Sequence, residues 1–546
     1  MKHSLLLLML AGLSLTSLRA QSDSFTMTQL GANQSLNFPW EITYGPDGFL
    51  WVTEREDGQV TRVDPQSGQQ DVILTLTDFY VDARQDGLLG MALHPELGQG
   101  KGLDYVYLSY TYWVGERRQK IVRYSYQVNP NGTGQLSQPQ DLLAVLPASN
   151  DHNSGRLVFG PDQKLYYTIG DQGSNQGRNK CKPLLSQALP TQSQIDQGDY
   201  RSYPGKILRI NLDGSIPADN PVLDGVRSHI YTYGHRNAQG LAFARNGLLY
   251  SHEHGHKTDD EINLIAAGKN YGWPFVAGFI DNQAYTYCDW SSANNCENLD
   301  YSSFTCPGSA DEQDETEWSH PDFQPPMGSF FTVPNSYDFD RPDCTNSFIC
   351  WPTIAPSSME VYEGFPISIQ GWDKSLLISS LKKGLLYRFQ LSADGTQILS
   401  DTISLIRTQN RYRDFALDPN GSTIYVITDN DGRTSTPTET NTQVLLNPGT
   451  ILRFDYSGTA LGTPTEATQY DFSLWQQDQR IILTWPRESL VNRNVSLFDL
   501  RGRLLATQQS QARGLSFSSE NLPPGVYWLK VQSPNQATVA RKILLR

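Results

Sequence analysis

The sequence predicts an all-β fold: a six-bladed β-propeller of four-stranded antiparallel blades, followed by a small β-sandwich-like domain. Helical patterns are scarce, whereas short runs rich in Val, Ile, Leu and Tyr recur between turns of Gly, Pro, Asn and Asp. One turn-and-strand phrase appears in residues 45–53, 160–168, 244–250 and 418–426. Units of about 40–50 residues would place about six blades in residues 21–456, which favours a propeller over a pair of β-sandwiches.

The two ends of the chain predict separate segments. Residues 1–20 combine a basic start, an apolar run and a small-residue exit at Ala20, which is the pattern of a secretory signal peptide. The apolar run is too short for a membrane anchor, which needs about 18 apolar residues, so we expect no membrane span. Residues 457–470 have the composition of a flexible linker, and residues 471–546 form the small C-terminal domain.

Charge and cysteine content exclude some classes of protein. The formal net charge is -14, and Lys and Arg form no long runs, so a nucleic-acid-binding surface is not expected. An even set of cysteines in an exported chain favours disulfides, and no C-x-x-C spacing indicates a zinc or dithiol site. Sequence alone does not determine the pairing, although Cys344 and Cys350 form the best local pair. The cysteines are Cys181, Cys288, Cys296, Cys306, Cys344 and Cys350.

Residues 252–256 read His-Glu-His-Gly-His and satisfy the zinc-protease pattern H-E-x-x-H. That motif needs a helix, which brings its two outer histidines to one face. Here the string follows a repeat strand, where residues four apart are separated by about 13 Å. A single zinc ion with bonds of about 2 Å cannot bind both histidines, so a zinc protease is not expected.

Polar residues gather beside the predicted strands. Asp151 and His152 precede one repeat strand, and Asp171 closes it. A carboxylate that is hydrogen-bonded to one imidazole nitrogen raises the basicity of the other nitrogen, so His152 and Asp171 could form a general base with its orienting carboxylate. The alternative is that His152 is a structural histidine bonded in a turn. Arg411 and Arg413 alternate on an extended segment and could bind a ligand with several carboxylates. The alternative is that these arginines lie on a solvated edge strand, where their charges prevent aggregation.

Longer phrases in one order carry a resemblance to a known family. They are residues 84–90, 151–157, 167–173, 234–243, 259–265, 270–274, 349–358 and 410–414. With them, residues 39–456 closely resemble the soluble quinoprotein glucose dehydrogenases, six-bladed propellers that use pyrroloquinoline quinone (PQQ) and calcium. The resemblance implies an aldose (glucose) 1-dehydrogenase that forms a lactone by hydride transfer to PQQ and passes electrons to an external acceptor.

The same resemblance implies roles for single residues. His152 would take the proton from the anomeric hydroxyl, and Asp171 would orient the imidazole and contact the substrate. Gln85 would touch the sugar, and Arg236 would lie beside the quinone oxygen that gains negative charge. The implied cofactor-binding residues are Arg236, Asn237, Thr353, Lys382, Arg411 and Arg413.

The resemblance also implies two calcium sites. The backbone carbonyls of Gly255 and His256 would hold the ion at PQQ, with His256 in place of the proline that the family has there. A second site, at a homodimer interface in the family, would use Glu261, Tyr271, Ala277, Phe279, Asp281 and Glu315, partly through carbonyl oxygens.

The C-terminal segment resembles the sorting domains of type IX secretion substrates. The resemblance rests on Phe498–Arg503, Leu522–Tyr527 and the ending Lys542–Arg546. It implies passage through the periplasm and a secreted or cell-surface product.

Two segments depart from the dehydrogenase pattern, namely residues 173–182 and residues 282–316. Loops determine which sugar fits, so the resemblance supports an aldose more firmly than glucose itself. The alternative function is a non-catalytic secreted propeller that binds a glycan or a protein. Such a protein would be free to lose the base and the cofactor-binding cations, and this chain has all of them.

Overall fold

The computed structural model describes residues 25–31, 35–340, 347–399, 402–436 and 441–458, together with the strands of the C-terminal unit and a few residues beside them. The chain forms two compact units, residues 1–461 and 462–546. The predicted signal peptide and most of the predicted linker lie outside the described residues.

The larger unit is built from four-stranded antiparallel sheets, six of them among its described residues. The chain begins with β1 (Phe25–Leu30), which joins the last sheet. The first sheet contains β2 (Pro39–Tyr44), β3 (Leu50–Glu54), β4 (Gln59–Val63) and β5 (Gln70–Thr75). The second contains β6 (Leu88–Leu93), β7 (Tyr105–Trp113), β8 (Arg117–Val128) and β9 (Gly134–Pro147).

The third and fourth sheets carry insertions. The third contains β10 (Ser154–Phe159), β11 (Leu165–Ile169), β12 (Lys206–Ile210) and, after the hairpin β13 (Val222–Leu223) and β14 (Val226–Arg227), β15 (Ile230–Tyr233). Helix α1 (Gln192–Asp196) lies between β11 and β12. The fourth contains β16 (Ala238–Phe243), β17 (Leu249–Glu253), β18 (Asp260–Ile265) and, after the hairpin β19 (Tyr287–Asp289) and β20 (Asp311–Gln313), β21 (Gly328–Phe330).

The last two sheets complete the larger unit. Helix α2 (Ser347–Cys350) precedes the fifth sheet, which contains β22 (Pro356–Tyr362), β23 (Ser375–Ser380), β24 (Leu385–Gln390) and β25 (Ile403–Leu405). The sixth contains β26 (Tyr412–Leu417), β27 (Thr423–Thr428), β30 (Ile451–Tyr456) and β1, with the hairpin β28 (Thr434–Ser435) and β29 (Asn441–Thr442) inserted before β30. Short 3-10 helices occupy Gly177–Asn179, Trp290–Ser292, Cys296–Asn298 and Glu315–Glu317.

The C-terminal unit contains two sheets that share a core. One sheet pairs β31 (Ser473–Gln477), β32 (Arg480–Thr484) and β35 (Gly514–Ser518). The other pairs β33 (Arg493–Asp499), β34 (Leu504–Ser510), β36 (Gly525–Gln532) and β37 (Val539–Leu545). Leu483 and Phe517 of the first sheet pack in one buried cluster with Leu497 and Leu529 of the second.

The predicted all-β class and the four-stranded antiparallel sheets are confirmed. The recurring phrase is the turn between the first and second strands of a sheet, and it leads into β3, β11, β17 and β27. In the first copy, the backbone N–H of Gly45 donates to Phe49 O, and the Gly45 carbonyl oxygen accepts the backbone N–H of Gly48. These two hydrogen bonds close the turn. The strand that follows is buried on both faces, which explains its aromatic and β-branched composition.

Buried apolar clusters join each sheet to the next one. Trp51 of the first sheet packs with Leu108 of the second, and equivalent clusters lie between each later pair of consecutive sheets. Ile427 of the sixth sheet packs with Ile42 of the first. The first strands β2, β6, β10, β16, β22 and β26 contact one another in this order, and β26 contacts β2. The arrangement is propeller-like and closes on itself.

The side chain of Arg156 lies at the centre of this ring. Its Nη1 atom is 2.5 Å from Glu41 Oε2 in β2 and 3.0 Å from Asp414 Oδ2 in β26. Its Nε atom donates to Gln239 O in β16 and its Nη2 atom to Ser357 O in β22. One guanidinium group on β10 therefore joins the first strands of five sheets.

No helix in the described part of the chain has the length and apolar character needed to span a bilayer.

Replacing Arg156 by Met should strongly destabilise the larger unit. The change leaves Glu41 and Asp414 buried without a cation, and breaking a buried ion pair costs about 3–5 kcal/mol. Urea unfolding followed by tryptophan fluorescence measures the loss in the free energy of unfolding. Arg201→Met is the control, because the Arg201 side chain is 76% exposed and its ion pair with Asp199 contributes about 1 kcal/mol or less. Equal losses in the two variants would contradict the central role of Arg156.

Candidate active site

A cavity of about 470 Å³ opens at one edge of the ring of sheets. Adjacent antiparallel strands bring the start of each first strand and the end of each second strand to the same edge. Residues from both positions of several sheets therefore meet there. The predicted site residues that line the cavity are Gln85, His152, Arg236, Gly255, His256, Thr353, Lys382, Arg411 and Arg413.

His152 and Asp171 are brought together as the sequence predicts. His152 Nδ1 lies 2.7 Å from Asp171 Oδ1, and both side chains are buried. Asp171 Oδ1 also accepts the backbone N–H of Gly173, and Asp171 Oδ2 accepts the indole N–H of Trp273 at 2.9 Å. With Nδ1 donating to the carboxylate, Nε2 of His152 carries the free lone pair. The backbone of His152 has φ 47°, a left-handed conformation that is uncommon outside glycine.

His152 also contacts Gln85, Asp151 and Gln176, of which the sequence did not single out Gln176. The amide of Gln176 lies 3.3 Å from His152 Nε2 and 3.4 Å from Asp151 Oδ2. Asp151 Oδ1 accepts the amide N–H of Gln85 at 2.5 Å, and Gln85 Oε1 accepts the backbone N–H of His152. Gln176 lies in a segment that departs from the family pattern, so only its position in the fold reveals the contact.

Arg236 forms one side of the cavity. Its guanidinium donates to His254 O at 3.3 Å and to Gln176 Oε1 at 3.2 Å, and its backbone N–H donates to Glu253 Oε2. The Nε atom of Arg236 and the amide nitrogen of the adjacent Asn237 are buried, and neither has a hydrogen-bond partner among the described residues. Because Arg236 lines the cavity, its Nε–H is available to a ligand there.

The predicted cations on the opposite side also meet. Asp429 Oδ1 accepts from Arg413 Nε at 3.0 Å, and Asp429 Oδ2 accepts from Arg411 Nε at 3.1 Å. Burial alone would raise the pKa of Asp429, but the charges of Arg413 and Arg411 outweigh it and lower that pKa below its ordinary value. Lys382 Nζ donates to Thr353 Oγ1 at 2.8 Å and to the backbone carbonyl of Trp351. One carboxylate between the guanidinium groups of Arg411 and Arg413 leaves net positive charge on this group of three.

The turn at Gly255 and His256 enters the cavity beside these cations. Asp260 Oδ1 accepts the backbone N–H of Gly255, and Asp260 Oδ2 accepts those of Ile354 and Ala355. Among the described residues, neither the Gly255 nor the His256 carbonyl oxygen accepts a hydrogen bond. Two uncommitted carbonyl oxygens fit the oxygen ligands that Ca²⁺ prefers.

The residues predicted for a second calcium site come near one segment, residues 277–282. Glu315 accepts the backbone N–H groups of Ala277, Asp281 and Asn282, and burial raises its pKa to about 7. Glu261 accepts the backbone N–H of Gly278. Within the described residues, no three His, Cys, Asp or Glu side chains are grouped to hold a metal ion. Of the remaining two predicted residues, Tyr271 donates its hydroxyl group to Leu264 O. The Phe279 residue is 40% exposed.

Disulfides join the two segments that depart from the family pattern. Cys181 bonds to Cys296, and Cys288 bonds to Cys306. The first bond links residues 173–182 directly to residues 282–316. Of the predicted local pair, Cys350 is disulfide-bonded and Cys344 lies outside the described residues.

The zinc-protease string has no helix. His252 and Glu253 end strand β17, and His254, Gly255 and His256 follow in the turn. Glu253 accepts from His235 Nδ1 at 2.9 Å, so its carboxylate orients the segment that carries Arg236. His252 contacts Gly240, where an added Cβ would meet its ring. These roles are structural.

Replacing Asp429 by Asn should destabilise the larger unit by about 3–5 kcal/mol, because it leaves two neighbouring guanidinium groups without a buried counter-charge. Chemical unfolding of the protein without added ligand measures this loss. Asp431→Asn is the matched control: Asp431 pairs with Arg84 at 2.8 Å, but both side chains are at least 50% exposed. The control should change the free energy of unfolding by less than about 1 kcal/mol. If Asp429→Asn lowers the free energy of unfolding by as little as Asp431→Asn does, the role given to the Asp429 carboxylate is wrong.

Comparison with known proteins relates this geometry to a family. Residues 36–300 and 332–436 match the glucose/sorbosone dehydrogenase model, and residues 477–546 match the secretion system C-terminal sorting domain. The chain is 43% identical over 449 residues to quinoprotein glucose dehydrogenase B of Acinetobacter calcoaceticus, covering 80% of this chain and 92% of the relative. It is 25% identical over 402 residues to an aldose sugar dehydrogenase of Escherichia coli, covering 72% and 88%.

A solved structure has the same fold. The PQQ-bound form of an aldose sugar dehydrogenase from Streptomyces coelicolor matches with a TM-score of 0.53 and 26% identity, covering 79% of this chain and 98% of that chain. The chain belongs to the glucose/sorbosone dehydrogenase family and ends in a secretion-system sorting domain.

Proposed function

We propose that this protein is a secreted aldose 1-dehydrogenase, with glucose as the narrower expectation, that depends on PQQ and Ca²⁺. The observation that carries the proposal is the His152–Asp171 pair, 2.7 Å apart at the edge of a cavity that also holds Arg236, Lys382 and Arg413. A base next to a cluster of cations suits the oxidation of a hydroxyl by an anionic cofactor. The names of the relatives from Acinetobacter and Streptomyces support the same choice.

The cavity fits PQQ by charge and by its free donors. PQQ is a planar tricarboxylate, and Lys382, Arg411 and Arg413 would hold its carboxylates with support from Thr353. The unpartnered N–H groups of Asn237 and Arg236 would donate to its oxygens. When bound, PQQ supplies the redox chemistry by accepting a hydride from the sugar.

His152 would act as the general base. Asp171 would accept a hydrogen bond from Nδ1–H, which leaves the lone pair on Nε2 to take the proton of the anomeric hydroxyl as the C1 hydride leaves. The carbonyl that forms at C1 is that of the lactone. Asp171 then stabilises the imidazolium, and the Trp273 indole holds Asp171 in place through its second oxygen. Gln85 and Gln176 would orient the sugar through their amides.

Arg236 and the Gly255–His256 turn would complete the site. The Arg236 guanidinium would offset negative charge that develops on the cofactor. The two carbonyl oxygens of the turn would hold Ca²⁺, with Asp260 fixing the turn from behind through the Gly255 N–H. A carbonyl ligand does not depend on its side chain, so His256 can supply it in place of proline.

The remaining assignments concern architecture and location. The six sheets of the larger unit would be the blades of a six-bladed propeller, and the C-terminal unit a β-sandwich-like sorting domain. Residues 1–20 would be removed after export to the periplasm, and the sorting domain would direct the product to the cell surface or the medium. A homodimer with calcium at Glu261 and Glu315, and an external electron acceptor, follow from the same resemblance.

Adding PQQ and CaCl₂ to the purified protein should produce dye reduction with glucose. His152→Ala should lower kcat by about 10²–10⁴-fold, because general base catalysis contributes that much. The variant should still bind PQQ, since His152 is not among the cations, and an absorbance titration checks this. If the wild type neither oxidises any sugar in a panel of aldoses nor binds PQQ, the proposal is rejected in favour of a non-catalytic binding protein.

PQQ affinity should fall as the pH rises above about 7. Burial lowers the pKa of Lys382 to about 7, while Asp260 opposes the shift and Lys383 adds to it. Below about pH 7 the Lys382 ammonium group is already charged, so the affinity for PQQ does not change with pH. Above about pH 7 the neutral amine must take up a proton when PQQ binds, so the affinity falls by up to about tenfold per pH unit. Titrations from pH 6 to 9 measure the slope, and Lys382→Arg, which stays charged, should flatten it. A level profile in the wild type would contradict the assignment.

A further inference from the structure

The turn at Gly255 and His256 needs to be held in place if its two carbonyl oxygens are to bind a cation. A glycine leaves its backbone angles free, and histidine lacks the ring by which proline fixes φ at about −65°. The centre of the His256 ring lies 6.3 Å from that of the Trp273 ring and 6.0 Å from that of the Tyr285 ring. Packing at these distances does not fix a backbone angle. The restraint therefore has to come from the neighbouring residues.

Lys257 follows directly and is anchored to a different loop. Its ammonium group donates a hydrogen bond to Ser303 O at 2.7 Å. The same group lies 4.9 Å from the ring centre of Phe339 and 5.5 Å from that of Phe304. Both distances fall within the range of about 6 Å over which a cation and an aromatic ring attract each other. One lysine thus holds the turn against two segments that are distant from it in sequence.

The residues on either side of Lys257 close the turn. Asp260 Oδ1 accepts the backbone N–H of Gly255, and Thr258 Oγ1 donates to Phe331 O at 2.8 Å. A Cβ atom added to Gly255 would lie 1.9 Å from Thr258 O, so the two ends of the turn are in contact. A shift of Lys257 would therefore move the carbonyl groups of the turn.

We propose that Lys257 is a positioning residue: it holds the Gly255–His256 turn in the conformation that binds Ca²⁺ and thereby sets the affinity for the ion. The inference rests on the proposed function, because the calcium at this turn belongs to it. A turn that is already ordered loses less entropy when it binds a ligand, so the anchored lysine strengthens binding without contacting the ion. The side chain supplies the restraint that a proline would supply through its ring.

Replacing Lys257 by Met should weaken Ca²⁺ binding by about tenfold, which is the order of the cost of ordering one backbone residue. Met keeps most of the aliphatic stem but loses the charge and the hydrogen bond to Ser303. Ca²⁺ is titrated into the calcium-free protein with PQQ added, and the absorbance of PQQ reports the ion beside it. Lys269→Met is the matched control, because the Lys269 side chain is 37% exposed and lies 3.5 Å from Asp322. The control should stay within about twofold of the wild type.

The direction of the change separates the anchoring from simple electrostatics. Lys257 is a cation next to the predicted Ca²⁺ ligands, so removing its charge alone would make Ca²⁺ bind more tightly. Weaker binding therefore indicates the lost anchor. Lys257→Arg keeps a charged donor that can bind a carbonyl oxygen and stack on aromatic rings, so it should lose less affinity than Lys257→Met. An affinity of Lys257→Met that equals or exceeds that of the wild type, or equal losses in the two variants, would overturn the proposal.

Hydrogen exchange measured by mass spectrometry tests the anchoring without PQQ or Ca²⁺. In Lys257→Met the backbone amides of residues 255–258 should exchange about tenfold faster than in the wild type, because the turn opens more often. Exchange in the strands of the larger unit should stay unchanged. Unchanged exchange at the turn, or faster exchange throughout the unit, would overturn the positioning role. If the PQQ absorbance of the wild type does not respond to Ca²⁺, the proposed calcium dependence fails, and the exchange measurement alone decides whether Lys257 holds the turn.

Discussion

The buried guanidinium group of Arg156 is the contact on which the centre of the larger unit depends. It is paired with Glu41 and Asp414 and donates to the backbone at Gln239 and Ser357. Removing three ionisable groups from water is costly, and only a complete set of partners offsets the cost. The contact therefore requires the first strands of five sheets to keep fixed positions around one point. The apolar clusters between the sheets supply cohesion, whereas this polar centre sets the register of the ring.

The candidate active site follows directly from that centre. His152, Asn237, Thr353 and Arg413 each lie one to four residues before a member of the Arg156 contact set. A displacement of one first strand would therefore move both a central partner and a site residue. This coupling explains how loops from different sheets can bring an imidazole, a hydroxyl and a guanidinium group to one cavity. Preorganised positions of this kind are what an electrostatically assisted reaction needs.

Buried carboxylates fix the individual groups within this frame. Asp171 orients the imidazole of His152, and Asp429 binds the guanidinium groups of Arg411 and Arg413. Asp260 accepts the backbone N–H of Gly255 in the Gly255–His256 turn, and Glu253 accepts the backbone N–H of Arg236. In the described part of the disulfide-linked loops, Gly173 and Gln176 reach this network: Gly173 donates its backbone N–H to Asp171 Oδ1, and the Gln176 amide contacts His152 and Arg236. The candidate site residues thus lie mainly at the strand edges, and the loops that differ from the family lie beside them.

The sequence by itself determined the fold class and most of the candidate site. Turn residues and β-branched strands are local signals, so the repeated phrase predicted β3, β11, β17 and β27, whereas the expected roles of His152, Asp171 and the cofactor-binding residues came from the resemblance of longer phrases to a known family. Tertiary structure decided the contacts between distant segments. Trp273 reaches Asp171 from 102 positions away, and Cys181 bonds to Cys296 across 115 positions. No local pattern encodes such distances, because they depend on how the ring closes and on where each inserted loop then lies.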